Sequence, residues 1–242
     1  MPRFFVPDSL AVGATVDLPD AVTHHINVVR LAPGAAVTLF NGGGGEYTAT
    51  LASIEKKRVS AAVTGFDPRE AELPYAVTLA QALPEASKMD WIIEKAIELG
   101  AAAVQPLTAQ RCVVRLSAER AEKRRLHWLA IIVSAAEQSG RNRLATLGQL
   151  QDYTPWIAAP ADAGPRIILT PRATLSLADW ARQTAPGPVT LVIGPEGGLS
   201  EAEEAAAVRH GALALAMGPR ILRTETAGLA ALATLNALWG GM

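Results

Sequence analysis

Residues 189–218 read VTLVIGPEGGLSEAEEAAAVRHGALALAMG. A short apolar run ends in a glycine-rich turn. A polar segment follows, opening with Ser200 and Glu203 at capping-box spacing and stopping at Gly211, and then a second apolar run. This is strand, loop, helix, strand, with strands apolar on both faces as buried parallel strands are. Working outward, the same alternation recurs. YAVTLAQAL (75–83), AAVQPLT (102–108) and RIILT (166–170) read as further strands. MDWIIEKAIELG (89–100) places Ile93, Ala96, Ile97 and Gly100 on one helical face, and a long helix runs from Ser117 to about Ser139, with Gly140 able to end it. The pattern predicts an α/β domain built on a parallel sheet over residues 74–242.

Before residue 70 the periodicity is that of strands. AAVTLF (35–40), EYTATLASI (46–54) and RVSAAVTGF (58–66) are separated by turn signals, and the glycines of NGGGG (41–45) read as a hairpin connection rather than a phosphate loop, since no helix start follows. FDPREAELP (66–74) is a linker. A small β domain over residues 1–70 is expected.

The 242 residues are 50% hydrophobic and 19% charged, a globular composition. Cys112 is the only cysteine, so an internal disulfide is impossible and no metal site built on cysteines is expected. The start, MPRFFVPDSL, lacks a signal-peptide core, and AGLAALATLNALWGGM (227–242) falls short of a bilayer span, which suggests a cytoplasmic protein. The formal charge of −1 hides a segregation: residues 111–143 carry eight arginines and lysines against three glutamates, a net +5, leaving −6 elsewhere. A polyanion has one place to bind.

In parallel α/β sheets, ligands sit beyond the carboxyl ends of the strands. Three such ends lead into proline-bearing loops, LTPRATL (169–175), IGPEGGLS (193–200) and MGPRILRTETAG (217–228). Neither a dinucleotide-binding fingerprint nor a phosphate-loop lysine is present. Gly194, Gly197 and Gly198 allow close backbone approach, and Glu196 disfavours a phosphate and favours a neutral or cationic group. Thr224 is the expected N-cap of the last helix.

IGPEGGLSEAE, GPRILRTETA, DWIIEKAIELG and EQSGR, with RFF and HHINVVRL near the start, are similar to the ribosomal RNA small subunit methyltransferase E family of the SPOUT class, over essentially the full chain. The resemblance implies a C-terminal SPOUT domain with a trefoil knot and an N-terminal PUA-like β-barrel. It also implies a homodimer that uses S-adenosyl-L-methionine to methylate N3 of one uridine in 16S ribosomal RNA, within an assembled small-subunit particle. By position, the cofactor would contact Thr170 and Pro171 in the first loop, Ile193, Gly194, Glu196, Gly197 and Gly198 in the second, and Met217, Gly218, Ile221 and Leu222 in the third. Arg220 and Arg223 would stabilise charge on the uracil, with Glu137 and Glu225 as candidate proton acceptors. RNA contacts would come from Arg3 and Arg30 in the β domain and from Arg111, Arg115, Arg124, Arg125, Gln138 and Arg141. No metal is needed for methyl transfer.

Overall fold

The structure is a computed structural model that describes residues 1–85, 87–161 and 163–241. The chain divides into two compact units, Met1–Glu72 with Ala136–Leu144, and Leu73–Ala135 with Ala145–Met242.

The first unit holds β1 (Arg3–Phe5), β2 (Thr15–Asp17), α1 (Asp20–Val28), β3 (Ala36–Phe40), β4 (Glu46–Ile54) and β5 (Val59–Asp67). Its five strands run in the order β1-β3-β4-β5-β2, with β1 parallel to β3 and the other pairs antiparallel. The glycine run 41–45 joins β3 to β4, as the turn signal predicts. Phe4, Val37, Leu39, Leu51, Val59 and Val63 alternate inward and enclose Ile26 of α1. Each such side chain contributes about 1.5–3 kcal/mol on burial. The sequence reading missed α1: its N-cap is Pro19, which offers no side-chain cap, so the usual start signal is absent.

The second unit begins with β6 (Val77–Ala82), α2 (Lys88–Glu98), β7 (Ala103–Thr108) and α3 (Ala118–Ser139), whose last turn belongs to the first unit. It continues with β8 (Thr146–Leu147), β9 (Gln151–Asp152), α4 (Tyr153–Ala158), β10 (Arg166–Leu169), α5 (Leu177–Gln183), β11 (Val189–Ile193), α6 (Glu201–Arg209), β12 (Leu213–Leu215) and α7 (Thr224–Trp239). Six strands form a parallel sheet in the order β12-β10-β11-β6-β7-β8, and β9 pairs with β7. The parallel α/β sheet and the separate N-terminal β unit agree with the sequence reading.

The central strands β6 and β11 are buried on both faces, through Val77, Leu79, Leu191 and Ile193 on one and Ala80, Ala82 and Val192 on the other. Helix α7 packs on α2, α5, β6 and β11. It buries Ala231, Leu232, Leu235 and Trp239, and its one buried amide, Asn236, is satisfied by accepting from Tyr75 Oη (3.0 Å) and donating to the Leu99 carbonyl (2.8 Å). Among the described residues no helix is long and apolar enough to cross a membrane.

Candidate active site

Beyond the carboxyl ends of β10 and β11 the second unit opens into a cleft of about 500 Å³, lined by the 193–199 loop, Pro171, Arg172, residues 221–224 and Arg111. A smaller adjoining depression adds Thr170, Met217, Gly218 and Arg220 and shares Pro171, Ile221 and Leu222 with the cleft. The structure thus brings together all three loops and every residue expected to meet the cofactor.

The glycine loop is shaped by backbone contacts. Gly198 donates its N–H to the Pro195 carbonyl at 2.8 Å and takes φ +68°. A Cβ on Gly194 would lie 2.7 Å from Leu199 N, so only glycine fits there. The helix behind the loop is fixed by the full capping box of Ser200 and Glu203, and Glu203 Oε1 also accepts from Gln110 N at 2.7 Å.

Thr224 does not cap α7. Arg223 is the N-cap residue and makes no side-chain cap bond. The Thr224 hydroxyl is instead committed to the loop, donating to the Gly194 carbonyl at 2.6 Å and accepting from Gln81 Nε2 at 2.9 Å. Gln81 is fully buried at the end of β6, and its Oε1 has no hydrogen-bond partner among the described residues. A lone amide in a largely apolar strand was the available sign of this contact.

Glu196 differs from its sequence-based role. Its carboxylate accepts from Lys88 Nζ (2.6 Å) and Glu85 N (3.0 Å), so its charge is already matched within the protein. Burial pushes the carboxyl upward, but Lys88 and the Glu85 N–H outweigh burial and hold it below the ordinary carboxylate range. Glu196 correspondingly raises the Lys88 ammonium. Lys88 opens α2 with a cation where the helix dipole disfavours one, which is the sequence signal for an acidic partner.

Arg220 and Arg223 are exposed at the two depressions, with no ion-pair or side-chain hydrogen-bond partner among the described residues. Ile221, between them, is 86% exposed. Glu225 stands in the first turn of α7, and its Oε2 is buried without a hydrogen-bond partner among the described residues.

Several of the remaining candidates have structural duties. Arg111 Nη1 donates to the Gly197 carbonyl at 2.8 Å, bracing the glycine loop rather than standing free for a polyanion. Arg115 donates to the Gln110 carbonyl, and Arg125 pairs with Glu122 at 2.9 Å. Arg3 pairs with Glu46 and donates to Asn142 Oδ1, and Arg141 is 3% exposed against Glu72. Enclosure and pairing remove Arg3 and Arg141 from the cations available to RNA. Arg30 and Gln138 are exposed, and Arg124 faces a separate hollow of the second unit.

Glu137 folds with the first unit, where Oε1 accepts from Phe5 N at 2.9 Å. Burial pushes its carboxyl up, only partly opposed by the Phe5 N–H, His25 and Arg3. A folded pKa above the unfolded one means that stability falls as pH rises from the unfolded value through the folded one. Glu137→Gln, which keeps the acceptor and removes the buried charge, is therefore expected to leave stability at neutral pH unchanged or higher by up to about 1 kcal/mol. Chemical denaturation at pH 5 and pH 8 checks this. A loss at pH 8 that shrinks at pH 5 would show that the carboxylate is needed as a charge.

An RNA methyltransferase domain model matches residues 71–236, and an RNA methyltransferase PUA domain model matches residues 18–64. The ribosomal RNA small subunit methyltransferase E of Bacillus subtilis is 32% identical, over 98% of this chain and 96% of its own. The chain belongs to the ribosomal RNA small subunit methyltransferase E family. A family member from Neisseria gonorrhoeae, solved bound to S-adenosyl methionine, is 39% identical with a TM-score of 0.91, covering 99% of this chain and 98% of its own. A Legionella pneumophila structure in complex with the cofactor SAM is 35% identical with a TM-score of 0.92, covering 97% of this chain and 96% of its own. The family's RNA-modifying domain spans the cleft, and its PUA domain falls within the first unit.

Proposed function

We propose that this chain is an S-adenosylmethionine-dependent methyltransferase acting on N3 of a uridine in small-subunit 16S ribosomal RNA. The observation that carries the reading is the cleft at the carboxyl ends of the strands, walled by backbone at Gly194, Gly197 and Gly198 and bordered by the exposed Arg223. Its volume suits a ligand of nucleoside size. The fit to the cofactor rests on Gly198: a Cβ built there meets no atom within 4 Å, so the loop leaves an open cradle a ligand can fill.

When bound, the cofactor supplies an electrophilic methyl group on a sulfonium centre. The protein's part is to orient and to stabilise charge. The Gln81–Thr224–Gly194 chain holds the loop in one position, with Arg111 and the Lys88–Glu196 pair as further braces. Uridine N3 must lose its proton for its lone pair to act, which places negative charge on the uracil oxygens. Arg223 stabilises that charge without itself taking the proton. Glu225, which follows the Arg223–Thr224 wall of the cleft in sequence without lining it, is the proton acceptor in this reading.

The same proposal includes a homodimer with the outer strip of α7 (Leu229, Ala230, Ala233) in its seam, a cytoplasmic site of action and an assembled small-subunit particle as substrate. It also includes a trefoil knot in the C-terminal chain path. Supporting the knot, the chain leaves β11, crosses to β12 on the far side of β10 and returns as α7 onto β11 and β6.

The test is nucleoside mass spectrometry of 16S RNA from a strain lacking the protein. N3-methyluridine is expected to disappear and to return with the wild-type chain. Arg223→Ala is expected to lower kcat at least about 100-fold while S-adenosylhomocysteine affinity stays within about twofold. Persistence of the modified nucleoside in the deletion strain overturns the substrate assignment.

A further inference from the structure

A second feature of the same unit is not used by the chemistry above. Arg120, Lys123, Arg124 and His127 stand at i, i+3, i+4 and i+7 on α3, and with Leu116 they line a depression of about 560 Å³. Leu116 and Arg124 also border an adjoining hollow of about 140 Å³, walled by Leu83, Pro84, Met89, Val114 and Trp128.

Among the described residues, no carboxylate lies within ion-pairing distance of Arg120, Lys123 or Arg124. Of the two glutamates nearest in sequence, Glu122 is turned to Arg125, and Glu119, at i−4 from Lys123, makes no ion pair among the described residues. The acid that does face the hollow, Asp90, is turned to His127 Nε2 (2.8 Å) and Trp128 Nε1 (3.0 Å) and forms no ion pair with Arg120, Lys123 or Arg124 among the described residues. Like charges at these spacings each cost a helix about 0.2–0.5 kcal/mol. An anion laid along the face relieves that repulsion. Arg120, Lys123 and Arg124 extend over about 6 Å of helix, longer than a single phosphate group, which suits consecutive phosphates of one strand. The apolar hollow beside it offers contact to a base. It is also one residue from the cleft, because Pro84 precedes Glu85, whose N–H holds Glu196.

We infer that this face is a binding site for a single-stranded RNA segment flanking the target: phosphates on Arg120, Lys123 and Arg124, and one unstacked base in the hollow of Pro84, Val114 and Trp128. The inference rests on the RNA-modifying reading above and adds a second, non-reacting nucleotide site to it.

The probe is a fluorescent single-stranded oligouridylate, titrated by anisotropy at several salt concentrations. Arg120→Glu with Lys123→Glu is expected to weaken binding about 10- to 100-fold at low salt and to reduce the log–log salt slope by about 1.4, two single-strand phosphate contacts. Val114→Trp fills the hollow but keeps every cation, and should weaken binding about tenfold with the slope unchanged. Both variants should bind S-adenosylhomocysteine as the wild type does, which shows that the fold is intact. An unchanged slope in the double variant removes the phosphate contacts, and wild-type affinity in Val114→Trp removes the base site. If wild-type protein binds S-adenosylhomocysteine but not the oligouridylate, the site is overturned while the methyltransferase reading stands.

Discussion

Replacing Gly198 with valine is expected to abolish binding of S-adenosylhomocysteine, with affinity falling at least about 100-fold and the far-ultraviolet circular dichroism unchanged. Two effects act together. At φ +68° a β-branched residue is strained by about 1–3 kcal/mol, which pulls the loop toward another shape. The new Cβ also meets no protein atom within 4 Å beyond its chain neighbours, and Gly198 lines the cleft, so the added side chain enters the space of the cleft rather than the core. The fold tolerates it and the ligand does not. Gly194→Ala provides the contrast: its Cβ would stand 2.7 Å from Leu199 N and 2.9 Å from Gly198 C, both backbone atoms, so the loop itself must move. Calorimetry that finds a folded Gly198→Val protein with wild-type affinity would remove this loop from the cofactor site.

Arg141→Met should destabilise the first unit by about 3 kcal/mol. The Arg141 side chain is 3% exposed, and its Nε lies 3.0 and 3.1 Å from the two oxygens of Glu72, which is 20% exposed. Removing the guanidinium strands a largely enclosed carboxylate, and the cost is that of the unpaired charge more than that of a lost attraction. The double variant Arg141→Met, Glu72→Leu should therefore recover most of the loss. Chemical denaturation decides between the outcomes. A single variant within about 1 kcal/mol of wild type would show that water reaches Glu72 freely.

The parts of this molecule legible in the sequence are those with local causes. Ser200 and Glu203 sit at capping-box spacing and form that box. The apolar runs ending in Gly194 and Gly218 place the cleft at the strand ends, because strands buried on both faces are predominantly apolar until they leave the sheet. Helix α5 was equally legible and was missed: Ser176 precedes Asp179 at the same spacing and accepts from its N–H. What could not be read locally is pairing across long separations. Thr224 has the composition of an N-cap, but its hydroxyl serves Gly194, thirty residues away. Arg111, Arg125 and Arg141 look alike as charges, yet one braces a loop, one pairs along its own helix and one is enclosed against Glu72. Charge counting over 111–143 therefore identified the basic region but not which cations are free, and Arg120 and Lys123, which it did not single out, are among those with no ion-pair partner among the described residues.

The first unit takes Ala136–Leu144 from far along the chain, and this sets an order of events during synthesis. Phe5 N is capped by Glu137, Arg3 by Asn142, and Glu72 by Arg141. When the ribosome has made Glu72, all the strands of the N-terminal sheet exist, but Glu72 and Phe5 N still lack their partners. Elongation at about 5–20 residues per second leaves the nascent sheet in that state for roughly 4–14 seconds before Leu144 is made. The N-terminal unit is first in the chain but cannot be first to finish, so its final closure is tied to the synthesis of the long helix that precedes the closing segment.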